Sequence, residues 1–114
     1  MNLSEVNWQQ QVTDLASLCG WRWNHTRRSI GKDGKWTTAT SVTGWPDLFL
    51  WHPTAAASMF VELKTDRGRV TAAQAEVLES LRAAGVDARV WRPRDWDCEV
   101  QPTLTAQRIV RSAG

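Results

Sequence analysis

The chain has few of the residues that small proteins use as covalent or metal staples. Its 114 residues include two cysteines, Cys19 and Cys98, and two histidines, His25 and His52. Cys19 stands among apolar, helix-like positions, which fits a reducing compartment better than a secreted disulfide scaffold. These four side chains also lack any recognised zinc-ligand spacing. We therefore expect an intracellular, cytoplasmic protein without disulfides or structural zinc.

Long apolar runs and targeting signals are missing as well. The sequence contains no run of about 18 apolar residues, the minimum for a membrane-spanning helix. Its first ten residues, "MNLSEVNWQQ", show neither a basic leader nor an apolar signal region. Membrane insertion and secretion are therefore disfavoured. The length favours a single domain over residues 1–114, long enough to bury a modest core.

A strong charge of one sign is also lacking. The net charge of +2 and the pI near 8.8 are only mildly basic, so charge alone does not establish a polyanionic partner. The distribution of the charge is more informative, because the segment "RWNHTRRSIGKDGK" at residues 22–35 is clearly basic. This segment is a candidate for contacts with phosphates.

Tyrosine is absent, whereas tryptophan occurs eight times. Half of these tryptophans lie within apolar patterns, which favours core packing over stacking on a ligand. The tryptophans predicted to be in the core are Trp8, Trp21, Trp23 and Trp51. Trp36 and Trp45 are expected to be the exceptions. A carbohydrate-binding surface would require exposed, coplanar indoles, and the alternating patterns argue against it.

Two helices have recognisable ends. The first is predicted over residues 4–19, with Ser4 as its N-cap and Gly20 as its stop. The second follows Thr71, where the T-x-x-Q spacing is that of a capping box, and it stops at Gly85. A short basic helix is expected within "TLTAQRIVRS" near the C-terminus.

Strands are predicted between and after these helices. The segments are "WRWNH", "WTTATSV", "DLFLWH", "SMFVELK" and "VDARVW". The third and fourth strands are expected to pair antiparallel, and the strand–helix–strand unit from residue 59 is expected to make a parallel pair. Counted without the β-prone piece "WTTATSV", the order αβββαβ predicts an α/β fold with a mixed sheet flanked by helices.

A carboxylate pair stands out against this framework. Asp47 leads the apolar run of "GWPDLFLWH", and alternation along "MFVELK" puts Glu62 and Lys64 on one face. If the two strands pair as a hairpin, Asp47 comes close to Glu62. Two carboxylates beside an ammonium are suited to a hard divalent cation such as Mg²⁺, which prefers oxygen ligands.

The same motifs resemble a known family. Pro46-Asp47, then Glu62-Leu63-Lys64, then a helix and a strand, is similar to the PD-(D/E)XK nuclease superfamily. More narrowly, "GWPDLFLW", "FVELKTDRGRVTAAQ" and "LRAAGVDARVWRPRD" resemble the VRR-NUC family. The resemblance implies a restriction-endonuclease-like core and Mg²⁺- or Mn²⁺-dependent hydrolysis of DNA phosphodiester bonds.

The resemblance also implies roles for particular residues. It places the metal on Asp47, Glu62 and the main-chain carbonyl of Leu63, with Lys64 as the catalytic lysine. Glu5, on the first helix, matches an acidic residue of such nucleases and is a further candidate metal ligand. Gln74 matches the glutamine that opens the helix after the lysine strand. Small stand-alone members are often phage proteins, and some are Holliday-junction-resolvase-like homodimers, which implies a role in DNA recombination or repair.

Each of these residues also has a purely structural explanation. Asp47 is compatible with a turn that bonds its own backbone. Glu5 suits the positive end of a helix dipole. Gln74 can be occupied fully by the capping box with Thr71. Lys64 can serve as a simple salt-bridge partner.

Basic residues near these motifs are candidate DNA contacts. Those directly past the lysine strand are favoured, and those of the basic segment come second. The predicted DNA-binding residues are Arg67, Arg69, Arg27, Arg28, Lys32 and Lys35. The function that this pattern favours is a metal-dependent endonuclease acting on branched DNA. The alternatives are a nicking or restriction-type nuclease on plain duplex and a non-catalytic DNA-binding module.

Overall fold

The computed structural model describes residues 4–26, 28–30, 36–38 and 41–106. Within these ranges, two helices and six strands follow one another, and after them come a 3-10 turn, a π-helical turn and a further helical segment at residues 101–106. The helices and strands are α1 (Glu5–Leu18), β1 (Arg22–His25), β2 (Arg28–Ile30), β3 (Trp36–Thr38), β4 (Leu48–His52), β5 (Ala57–Leu63), α2 (Ala72–Ala83) and β6 (Ala88–Trp91). None of the helices described combines the length and apolar character that crossing a bilayer requires.

The caps of both helices are those that the sequence predicts. The Ser4 hydroxyl accepts from the N–H of Asn7 at 3.2 Å and opens α1. At the start of α2, Thr71 and Gln74 form the full capping box, with each side chain bonded to the other residue's main-chain N–H. Gly20 and Gly85 follow the two helices with φ of 90° and 82°, values that glycine adopts without steric cost.

Four strands form one mixed sheet in the order β1-β4-β5-β6. β4 pairs antiparallel with both β1 and β5, and β6 pairs parallel with β5 across the α2 crossover. Both predicted pairings are therefore confirmed, as is the α/β fold with a mixed sheet flanked by helices. β2 and β3, which lie between β1 and β4 in the sequence, pair antiparallel as a separate two-stranded sheet.

The core lies between α1, the helical segment at residues 101–106 and one face of the sheet. Alternation along β4 and β5 turns a row of fully buried aliphatic side chains toward α1. That row consists of Leu48, Leu50, Met59, Val61 and Leu63. The opposite face of the sheet carries Glu62. The first turn of α2 lies on this face, as the hydrogen bond from Gln74 to the Glu62 carboxylate shows.

Tryptophan indoles tie the helices to the sheet. Trp8 is fully buried and donates from Nε1 to the carbonyl of Trp91 at 3.1 Å. Trp21 donates in the same way to the carbonyl of Leu104 at 3.0 Å. Trp23 differs from the prediction of core packing, because it is 40% exposed and bonds to the Ser17 hydroxyl at the edge of the sheet. β1 is an edge strand, so a residue on its inner face is only partly covered.

Candidate active site

The register of β4 and β5 decides where the two predicted carboxylates lie. Leu48 pairs with Val61, so Asp47, directly before β4, lies opposite Glu62. Directly opposite residues of an antiparallel pair share one face of the sheet. The Asp47 side chain also reaches β5, because its Oδ2 accepts a hydrogen bond from the Leu63 N–H at 3.0 Å. The hairpin therefore brings Asp47 to the end of β5, where Glu62 and Lys64 stand.

Glu62 is the most deeply buried charged residue of this group. Its side chain is 1% exposed, although a carboxylate is costly to remove from water. Oε2 accepts a hydrogen bond from Gln74 Nε2 at 3.3 Å and lies 3.9 Å from Lys64 Nζ. The Lys64 side chain is 14% exposed, so the ammonium lies at the boundary between the site and solvent.

Gln74 completes the capping box and also contacts Glu62. Its Oε1 accepts from the Thr71 N–H at 2.9 Å, as the capping box requires. This bond fixes the amide orientation, so the Nε2 group is the one that faces Glu62. One side chain therefore caps α2 and holds the carboxylate of Glu62.

Gly44 locks the loop that carries Asp47 against α2. Its φ is +87°, and a Cβ built there would lie 2.6 Å from the carbonyl carbon and oxygen of Ala73 and 2.7 Å from the nitrogen of Gln74. The loop backbone can approach the first turn of α2 this closely only because the residue has no side chain. Nothing in the sequence around Gly44 indicates this approach.

The first turn of α1 lies at the same end of the sheet. The Trp91 carbonyl accepts both the Trp8 indole N–H and the main-chain N–H of Lys64, at 3.1 and 3.0 Å. Glu5 precedes Trp8 by about one helical turn and is exposed. Within the described ranges, however, no three His, Cys, Asp or Glu side chains group closely enough to hold a metal ion. Glu5 therefore does not complete a cluster of three with Asp47 and Glu62.

The turn after Lys64 carries the two favoured basic residues. Arg67 and Arg69 are both exposed there, at the end of the sheet that holds Glu62. Arg28 is the first residue of β2, whereas Arg27, Lys32 and Lys35 lie outside the described residues. Trp45, an expected exception to core packing, is half-buried with its ring edge-to-face on Phe60 at 5.2 Å. Packing under the loop accounts for this indole.

Arg92 was not anticipated from the sequence. Its guanidinium bonds to the carbonyls of the turn that follows Lys64, about a quarter of the chain earlier. In the sequence, "RPRDW" indicates only the end of a strand. No local pattern signals this contact, since it depends on how β6 ends beside β5.

A comparison with known protein families identifies the family of the chain. The profile of the VRR-NUC domain matches residues 2–95. The chain belongs to the VRR-NUC domain family. That family consists of PD-(D/E)XK-type nuclease domains, so the chain is a nuclease domain with DNA as its substrate. No curated protein and no solved structure shows significant similarity to the chain.

Proposed function

We propose that this VRR-NUC domain is a divalent-metal-dependent endonuclease with Asp47, Glu62 and Lys64 at its active site. The observation that carries the proposal is the β4–β5 register, which sets Asp47 opposite Glu62. The Lys64 ammonium stands 3.9 Å from the Glu62 carboxylate. An acidic pair beside a cation suits hydrolysis of a phosphodiester, because both a metal and a phosphate find complementary charge.

The donor set fits Mg²⁺ or Mn²⁺. Mg²⁺ retains several waters and commonly takes one or two protein carboxylates, so a cluster of three is not required. Asp47, Glu62 and the Leu63 carbonyl would hold the ion, and Glu5 is a candidate for a more distant contact through water. When bound, such an ion lowers the pKa of a coordinated water and neutralises charge on the scissile phosphate.

The protein's own residues supply the remaining functions. Gln74 fixes the orientation of the Glu62 carboxylate through its amide, as outer partners of metal ligands commonly do. Lys64 orients the attacking water or holds the phosphate as a point charge. Arg67 and Arg69 contact backbone phosphates beside the cut, and the basic residues of segment 22–35 extend that contact.

We further propose a preference for branched DNA of the Holliday-junction type and action as a homodimer. The support for both is the resemblance to small resolvase-like members of the family. Paired, symmetric cuts across a four-way junction require two active sites, which a homodimer supplies.

The direct test is cleavage of a four-way junction, a flap and a linear duplex with Mg²⁺, with Mn²⁺ and with EDTA. We expect metal-dependent cleavage by the wild type and a loss of roughly 10³-fold in Asp47→Asn, since a lost metal contact removes several kcal/mol of transition-state stabilisation. Asp14→Asn is the matched control, because Asp14 is exposed on α1 and accepts a hydrogen bond from Gln10, one turn earlier.

Each alternative has its own outcome in this experiment. Unchanged cleavage by Asp47→Asn would show that the site lies elsewhere. Equal rates on duplex and junction would refute the branched preference and favour a nicking or restriction-type enzyme. DNA binding without cleavage under any metal condition would favour a non-catalytic module. Sizing the protein in solution tests the homodimer.

A further inference from the structure

The turn between β5 and α2 is held by residues that follow β6. Arg92 Nη1 donates to the carbonyl of Thr65 at 2.7 Å and to the carbonyl of Gly68 at 2.5 Å. The main-chain N–H of Arg94 donates to Asp66 Oδ1 at 3.0 Å. Within the turn, the Gly68 N–H donates to the Thr65 carbonyl at 3.2 Å. The start, the middle and the end of the turn are thus all fixed.

The same segment also anchors the backbone of Lys64. The Trp91 carbonyl, directly before Arg92, accepts the Lys64 N–H at 3.0 Å. The N–H of Arg92 itself donates to Asp95 Oδ2 at 2.9 Å, which fixes the residue that carries the guanidinium. Arg92 therefore has a rigid base from which to hold the turn.

The turn at residues 65–68 also packs on the side chain of Lys64. A Cβ built at Gly68 would lie 3.5 Å from Cδ of Lys64 and 3.1 Å from Oγ1 of Thr65. The backbone of Gly68 thus borders the aliphatic stem whose ammonium faces Glu62. A shift of the turn would change both the support of this stem and the positions of the neighbouring arginines.

We propose that Arg92 is a positioning residue, which clamps the turn at residues 65–68 and so fixes Arg67 and Arg69 beside Lys64. Arg92 does not itself contact the substrate. Its Nη1 donates to two main-chain carbonyls and the residue is half-buried, whereas Arg67 and Arg69 are exposed. A preordered turn binds a phosphate backbone more tightly than one that must become ordered on binding. The DNA part of this inference rests on the proposed function.

The clamp is tested first without DNA, by hydrogen exchange over residues 65–70 in Arg92→Ala and in Arg94→Ala. Exchange reports the local opening of a segment. Arg94→Ala is the matched control, because it removes the same charge two residues away and leaves its main-chain bond to Asp66 in place. We expect exchange to rise at least about tenfold in Arg92→Ala and to stay near wild type in Arg94→Ala. Equal exchange in the two variants would overturn the clamp.

The positioning role is tested by the dissociation constant for junction DNA in EDTA, where no cleavage occurs. We expect Arg92→Ala to weaken binding about tenfold more than Arg94→Ala, with added methylguanidinium, but not methylammonium, restoring part of both binding and exchange protection. Faster exchange with unchanged binding would refute the positioning role. If Arg92→Ala does not fold, Arg92→Lys carries the test, since it retains the charge and should restore only part of the protection.

The two readouts separate this inference from the proposed function. If the wild type neither binds nor cleaves DNA, the proposed function fails while the exchange result still decides whether Arg92 clamps the turn. If the wild type cleaves DNA and Asp47→Asn does not, but Arg92→Ala and Arg94→Ala behave alike, the proposed function stands and this inference fails.

Discussion

The two ends of the β5–β6 strand pair hold their charged side chains in opposite ways. Near the start of β6, Asp87 accepts two hydrogen bonds from Arg89, at 2.8 and 3.0 Å, and Arg89 also reaches the Thr103 hydroxyl at 3.2 Å. Where β5 ends, Glu62 is almost completely buried, and it meets a neutral amide at 3.3 Å and the Lys64 ammonium at 3.9 Å. The first arrangement is a short, bidentate ion pair, and the second is a buried carboxylate beside a neutral amide and an ammonium.

The two arrangements contribute to stability in different ways. The hydrogen bond that Arg89 donates to Asp87, opposed by burial, raises the pKa of Arg89 above its ordinary value. The guanidinium therefore keeps its charge throughout the neutral range, and its contribution to stability would fade only as the pH rises through that raised pKa. The pair is partly exposed, so it is worth at most about 1 kcal/mol. Burial of Glu62 costs stability, and natural proteins accept such a cost chiefly at functional sites.

The largest expected effect is on DNA cleavage, when the carboxylate of Glu62 is replaced by an amide. We expect Glu62→Gln to lower the rate of DNA cleavage by roughly 10³-fold, because a metal contact is lost. Its free energy of unfolding should change by no more than about 2 kcal/mol, because the removal of a buried charge offsets the loss of the ion pair with Lys64. Cleavage assays and chemical denaturation measure the two quantities.

Asp87→Asn is the matched change at the opposite end. It should leave the cleavage rate within about twofold and lower the free energy of unfolding by up to about 1 kcal/mol. Two results together would contradict this contrast between the two ends of the strand pair. They are a strong loss of stability in Glu62→Gln and a loss of cleavage in Asp87→Asn as large as that in Glu62→Gln.

A second pair of changes uses the glycines. Gly44→Ala introduces a methyl group against the backbone of α2 and strains a positive φ, so we expect a loss of about 2–3 kcal/mol of stability. Cleavage should fall roughly 10–100-fold, since Asp47 lies on the displaced loop. Gly85→Ala is the control, because its φ is +82° and nothing lies within 4 Å of the built Cβ.

Gly85→Ala should cost about 1 kcal/mol and leave the cleavage rate unchanged. Thermal denaturation measures the stability of the two variants, and cleavage assays measure their rates. Equal losses of activity in both would mean that backbone strain, rather than the fit of the Asp47 loop on α2, accounts for the effect.

The smallest expected effect separates the two roles of Gln74. Gln74→Met should lower the cleavage rate roughly 10-fold, because the Glu62 carboxylate loses its outer partner. Thr71→Ala removes the cap hydroxyl but keeps the bond from its own N–H to Gln74, so it should cost about 1 kcal/mol and leave cleavage intact. A loss of activity in Thr71→Ala as large as that in Gln74→Met would assign the whole effect to the helix cap.

Local sequence patterns predicted the helices and most of the strands. The expected hairpin between two neighbouring strands predicted that Asp47 and Glu62 lie close together. The capping box of α2 and the hairpin that joins Asp47 to Glu62 depend on residues near one another in the sequence, so the sequence was sufficient for both. The double use of Gln74 could not be predicted, because it requires α2 to lie on the face that carries Glu62. Arg92 and the close approach of Gly44 likewise depend on tertiary contacts. The exposure of Trp23 follows from β1 being an edge strand, which alternation does not reveal.

The most direct test of the central claim is the binding of Mn²⁺ to the DNA-free protein, followed by electron paramagnetic resonance. If Asp47 and Glu62 hold one ion together, the wild type binds Mn²⁺ saturably, and Asp47→Asn and Glu62→Gln each abolish that binding while Asp14→Asn and Asp87→Asn retain it. Saturable binding that survives in both Asp47→Asn and Glu62→Gln would contradict the account.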